Sequence, residues 1–226
     1  MNRYEDLPAL MTMMTGDEKH SPSATSTLDV LWTLYDRVLR TTPETVEAPD
    51  RDRFLMSKGH GPMALYAVLA AKGFIPWEWL ADFGRFESPL GHHPDRNLVP
   101  GVEIASGSLG HGLPIALGVA LALDACAAAS PRVFVLLGDA ELDEGSNHEA
   151  IALAGRMRLD RLTAIVVDNA SATHGWPGGI EARFAIEGWE TAVVNGRDHA
   201  ALASAFAARS PGRPRVVVCH AQPKEG

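Results

Sequence analysis

Cysteine is scarce in this chain. Only Cys126 and Cys219 occur, far apart and without a CxxC spacing. That excludes the disulfide framework of a small secreted domain and a structural zinc site. Positive charge is also in deficit: 20 Lys and Arg stand against 28 Asp and Glu, giving a formal net charge of −8. Such a balance argues against the broad basic footprint of a nucleic-acid binder. The opening stretch MNRYEDLPALMTMMTGDEKH lacks the basic start and unbroken apolar run of a signal peptide, so a cytoplasmic protein is expected. Leu113–Ala129 is almost wholly apolar but carries Asp124 and opens with Pro114 after a Gly-rich turn. It is shorter than the roughly 20 residues of a membrane span and reads as a helix buried through its alanines. No repeat, low-complexity tract or linker is visible, so one domain over residues 1–226 is expected, with residues 1–18 as an N-terminal arm.

What is present is an ordinary globular composition of 226 residues, 46% apolar and 21% charged. A chain of this mass exposes about 10,000 Å² when folded, against about 35,000 Å² unfolded, which is room for a substantial core. Asp29–Leu39 and Gly61–Lys72 carry apolar residues at helical spacing, the second stopping at Gly73. From residue 130 the pattern alternates. Arg132–Leu137 and Leu162–Val167 are short apolar runs suited to strands. Between them Asn147–Leu159 is a helix with Ala150, Ile151, Ala154 and Met157 facing inward. Thr191–Val194 and Arg215–Cys219 read as further strands around a helix at Ala200–Ala208. The alternation predicts an α/β fold: a doubly wound, mainly parallel sheet with helices on both faces.

Ligands of open α/β sheets bind beyond the carboxyl ends of the strands. There stand Asp139 after one strand and Asp168-Asn169 after the next. A carboxylate and an amide oxygen at one sheet edge suit a hard divalent cation that also holds phosphates; Asp and Asn at strand ends equally serve as caps and turns. Ser106–Gly112 (SGSLGHG) is glycine-rich and enters the apolar helix directly. Glycines admit a ligand close to the backbone, and amides at a helix start favour phosphate. The loop is neither GxGxxG nor Walker A, and Ser106 stands where a GxSxG elbow needs glycine. A tight turn with close helix packing explains it as well. The nine histidines are His20, His60, His92, His93, His111, His148, His174, His199 and His220, none in an HExxH or zinc pattern.

Taken together these stretches resemble the N-terminal, diphosphate-binding half of transketolases. The match runs through His20 and SPSATSTLDVLWTLY, then SKGHGPMALYAVLAAKGF from Ser57 and GHHPDRNLVPGVE from Gly91. It continues with SGSLGHGLPIALGVALA from Ser106, GDAELDEGSNHEA from Gly138, and LDRLTAIVVDNASATHG ending at Gly175. The resemblance is to split transketolases, in which this half is a separate polypeptide.

The resemblance implies that Asp139 and Asn169 ligate Mg²⁺ with the backbone carbonyl of Ser171, the metal holding thiamine diphosphate. It places His60, Gly107, Ser108, Leu109, Gly138 and Ala140 along the cofactor. His20 and His93 would face the sugar, and Glu144 and Glu149 would join an acidic network at the subunit interface. It implies a sugar or sugar-phosphate substrate and a separate pyrimidine-binding subunit, in an α₂β₂ assembly. The chain departs from the family pattern at Lys19, Pro22-Ser23, His111, Ala140, Ala170 and His174. Another thiamine-dependent enzyme, of decarboxylating-synthase or oxoacid-dehydrogenase type, and a non-catalytic scaffold remain as alternatives.

Overall fold

Strand pairing organises the molecule. In the computed structural model, residues 3–17, 20–126, 131–172 and 175–221 are described. Lys19, His174 and the end of the expected 113–129 helix past residue 126 lie outside them. Five strands form one parallel sheet: β1 (Arg53–Met56), β2 (Val133–Gly138), β3 (Leu162–Asp168), β4 (Glu190–Asn195) and β5 (Arg215–His220), in spatial order β1-β2-β3-β5-β4. Gly138 pairs with Val167, and Asp168 with His220, so the carboxyl ends of the central strands reach one edge together.

Alternate side chains of each strand feed separate cores. Phe134, Leu136, Ile165, Val167, Val217 and Cys219 pack beneath α1 (Leu7–Thr12), α2 (Ser21–Arg37), α3 (Met63–Ala71) and α7 (His199–Ala207). Val133, Val135, Leu137, Ala164, Val166, Val216 and Val218 pack on the opposite face. They lie against α4 (Gly112–Ala125), α5 (Gly145–Met157) and α6 (Ile180–Ile186). Leu7, Leu10 and Met14 are buried, so the N-terminal stretch contributes to the first core. The folded chain exposes 10282 Å², matching the scaling expectation.

Four expectations need correction. α4 is not buried all round: Leu113, Ala116, Leu117 and Ala120 face the core, while Ile115 is 42% exposed and Gly118 and Ala122 lie open. Met157 does not face inward with Ala150, Ile151 and Ala154; it is 51% exposed in the last turn of α5. β4 is an edge strand only half covered, leaving Val193 exposed. α2 begins at Ser21, well before the apolar periodicity. Its first turns are held instead by Pro22 near the start and by Ser26 and Thr27 hydroxyls donating to the Ser23 carbonyl at 2.9 and 2.8 Å. β1 and α6 gave no clear signal because they are only four and seven residues long.

Glycine has two opposite meanings here. A Cβ on Gly155 would lie 1.8 Å from the Glu187 carbonyl oxygen, whereas one on Gly118 meets nothing within 4 Å. Gly155→Ala is therefore expected to lower stability by about 1–3 kcal/mol through overpacking. Gly118→Ala, inside α4, should raise it by about 0.5–1 kcal/mol. Thermal denaturation of the two variants reads both signs.

Candidate functional site

Asp139 and Asn169 follow the neighbouring strands β2 and β3, and each is 2% exposed. The Asp139 carboxylate gathers the segment beyond β3. The Ser171 amide donates to Oδ2 at 2.6 Å, the Ala172 amide to Oδ2 at 2.9 Å, and the Ser171 hydroxyl to Oδ1 at 2.5 Å. A carboxylate offers about four acceptor directions, so Oδ1 keeps capacity for a further partner. Asn169 Nδ2 donates to Ser26 Oγ at 3.4 Å, while its Oδ1 is buried with no hydrogen-bond partner among the described residues. An orphaned buried carbonyl oxygen and a carboxylate following adjacent strands are donor types that fit a hard cation. Ser171 reaches Asp139 through its amide and hydroxyl. Among the described residues no group of three His, Cys, Asp or Glu forms a metal cage, so a cation here would draw its remaining oxygens from outside those side chains.

A cavity of about 300 Å³ opens beside these strand ends, lined by His20, Ser23, Lys58, His60, Leu109, Gly138, Ala140, Glu141 and Ser171. A larger groove of about 520 Å³ over Trp79–Pro89 holds none of these groups. Three of the lining residues, Ser23, Lys58 and Glu141, are not among the candidates read from sequence. Lys58 is buried and donates to Ser23 O, Ser23 Oγ and Thr27 Oγ1 at 2.9, 2.8 and 2.7 Å. Glu141 is buried, accepting from the Ser57 hydroxyl, from the Gly110 amide at 3.0 Å and from the Gly138 amide at 3.3 Å. Burial pushes its carboxyl above the usual carboxylate range, against those hydrogen bonds and the nearby Lys58 charge. The positions of Lys58 and Glu141, one past Ser57 and two past Asp139, were the available signals.

His20 and His60 line this cavity, and His93 completes a row of three imidazoles. His20 and His60 have ring centroids 5.2 Å apart, and His60 and His93 5.5 Å. His20 Nδ1 lies 2.5 Å from Asp17 Oδ1. The His60 pKa is lowered from 6.5, by desolvation first and then by His20, His93 and Lys58. His60 is thus held neutral at physiological pH, with a nitrogen free to accept a proton.

The glycine-rich loop commits two of its amides to the protein itself. The Gly110 amide is taken by Glu141 and the Gly112 amide by Ser57 Oγ at 3.0 Å. Their missing side chains make room for protein: a Cβ on Gly112 would lie 2.1 Å from Ser57 Cβ, and one on Gly110 2.6 Å from Glu144 Cβ. Gly107, with φ +129°, packs under the His93 ring. Close packing therefore accounts for these glycines. Ser108 and Leu109 are exposed, Leu109 toward the cavity. Ala140 lines the cavity without left-handed backbone strain, since among the described non-glycine residues only Arg158 and Ala170 have positive φ. Glu144 and Glu149 are exposed and do not line the cavity. His148 stacks on Trp176, while His199 and His220 pair with Asp29 and Asp168, so none of these joins the row.

A family model for the transketolase thiamine diphosphate binding domain matches residues 9–222. The chain belongs to the transketolase family. It is 35% identical over 208 residues to a subunit of the apulose-4-phosphate transketolase of Actinobacillus succinogenes, covering 89% of this chain and 75% of that protein. It is 57% identical over 215 residues to a Rhodococcoides fascians protein named Ferredoxin fas2, covering 95% of this chain and 71% of that one. Within this chain two cysteines, one exposed and one buried, fall short of the four thiolates of an iron–sulfur cluster. Transketolase from Leishmania mexicana superposes with a TM-score of 0.76 at 27% identity, over 92% of this chain. The chain spans only 37% of that solved enzyme. No helix among the described residues is long and apolar enough to cross a membrane.

Two measurements follow from this geometry. Glu141→Ala strands the Gly110 and Gly138 amides and the Ser57 hydroxyl, so it should lower stability by about 1–3 kcal/mol. Because folding raises the Glu141 pKa above its ordinary 4.5, its stabilisation is complete below that value and declines as pH rises through the folded pKa. Denaturant melts should therefore show the gap between parent and variant narrowing as pH climbs above 4.5. For His60, an NMR titration should give a midpoint below 6.5, and His93→Ala should move it upward.

Proposed function

We propose that this chain is the diphosphate-binding subunit of a two-component transketolase. With a separate pyrimidine-binding subunit it transfers a two-carbon ketol unit from a ketose to an aldose acceptor. The observation that carries the reading is the buried Asn169 oxygen, unpartnered among the described residues, with Asp139 at the adjacent strand end, together with the row of three histidines. Relatives named as single subunits of apulose-4-phosphate transketolases, in Actinobacillus succinogenes and Phocaeicola vulgatus, support the division into two chains.

Thiamine diphosphate supplies, when bound, the carbanion chemistry that makes and breaks the carbon–carbon bond. Asp139 and Asn169 would hold Mg²⁺ through side-chain oxygens, with the Ser171 carbonyl as a third donor. Gly138, Ala140, Gly107, Ser108 and Leu109 would shape the walls, and Lys58 would add fixed positive charge facing the diphosphate. His60, neutral by its surroundings, would accept a proton at an imidazole nitrogen. His20 and His93 would face the sugar carbonyl and hydroxyls, exchanging protons with them near neutral pH. Glu144 and Glu149 lie exposed on and before α5, consistent with an interface role. The bare side of α4 with Ile115, and Leu153 and Met157 on α5, supports subunit contact in an α₂β₂ assembly.

A non-catalytic scaffold is the competing reading, favoured by the closure of the Ser171 and Ala172 amides onto Asp139. Thermal melts of the assembled subunits separate the two. Thiamine diphosphate with Mg²⁺ at a hundredfold its Kd should stabilise the native state by about 2.7 kcal/mol. Chelation of Mg²⁺ or Asp139→Ala should abolish that gain. A scaffold would show no gain in any sample, and no two-carbon transfer from a panel of ketose phosphates.

A further inference from the structure

Asp17 sits beneath the histidine row. It is 3% exposed, yet its two carboxylate oxygens have different surroundings. Oδ1 is 2.5 Å from His20 Nδ1. Among the described residues Oδ2 is buried without a hydrogen-bond partner, and His92 Nδ1 lies 3.8 Å from it. His92 lies edge-on to Phe83, with centroids 5.2 Å apart, and stands next to His93 in the loop that completes the row. One carboxylate therefore faces imidazoles from two separate segments, one leading into α2 and the other carrying His93.

We propose that Asp17 is a positioning residue for His20, and through His92 for the loop that bears His93. An ionised carboxylate only accepts hydrogen bonds, so the proton between Asp17 and His20 belongs to Nδ1. That fixes the Nδ1–H tautomer and leaves Nε2 as the nitrogen that takes up or releases a proton, while Nδ1 keeps its own. The same contact orients the ring toward His60, 5.2 Å away. Oδ2 is the acceptor for the Nδ1–H of His92 when that side chain closes the remaining gap, drawing the 91–94 loop against the 17–20 segment. The catalytic meaning of this arrangement rests on the assignment of His20 to the substrate side; the tautomer itself does not.

The tautomer is read directly from ¹⁵N shifts of the histidine rings in the full chain at neutral pH. The parent should show His20 with a protonated Nδ1 and a bare Nε2. Asp17→Ala should populate the Nε2–H form, and Asp17→Asn, whose amide can donate to Nδ1, should populate it as well. A parent His20 already in the Nε2–H form overturns the proposal, as does an Asp17→Ala spectrum matching the parent. Should Asp17→Ala fail to fold, the parent and Asp17→Asn spectra still decide. His92→Ala should leave the His20 tautomer intact while shifting the His93 ring signals, and unmoved His93 signals refute the link to the loop. Absence of any response to thiamine diphosphate and Mg²⁺ would count against the enzymatic reading alone.

Discussion

A single buried carboxylate sets the geometry of the strand-end edge. Glu141 accepts from a side chain just past β1, from the glycine-rich loop before α4, and from the last residue of β2. Three segments distant in sequence are thereby fixed around one charge. Desolvation opposes that charge, and the hydrogen bonds with Lys58 nearby offset the cost. Lys58 in turn is locked to the first turns of α2. The cavity inherits its shape from this chain of contacts, because its walls are the segments that Glu141 and Lys58 hold.

The opposite end of the sheet is built on different terms. Asp52, buried before β1, accepts from Arg40 at 2.9 Å and from the Arg132 amide at 2.8 Å, joining the entries of β1 and β2. Those partners hold its carboxyl below the usual range despite burial. Asp29, by contrast, lies near the carboxyl end of β4, where it collects Tyr4, Arg197 and His199 and ties the N-terminal segment and α7 to α2. These acids are fully matched by cations and donors. Among the described residues, Asn169 Oδ1 and Asp17 Oδ2 are buried without hydrogen-bond partners, as are Arg132 Nε and Arg215 Nε at the strand entries.

How much of this was legible in the sequence depended on the kind of signal. β2 and β3 announced themselves as unbroken apolar runs, and they pair as neighbours, so Asp139 and Asn169 follow adjacent strands. The start of α2 was hidden because Ser23, Ala24, Ser26 and Thr27 are buried by smallness and hydroxyl bonding instead of apolar periodicity. α4 misled through composition: its alanines and leucines suggested burial on every side, which single-chain packing does not deliver. Glu141, Lys58 and Asp17 were missed for a common reason. Their importance lies in partners brought in from other segments of the chain, and local pattern carries no such information.

The glycine-rich loop has a consequence for how the protein can diverge. Positions 107, 110 and 112 are filled against His93, Glu144 and Ser57, so any side chain there collides with the scaffold. Positions 108, 109 and 111 are exposed, Leu109 toward the cavity. Evolutionary drift in this stretch is therefore channelled into three letters, and His111 is one of them.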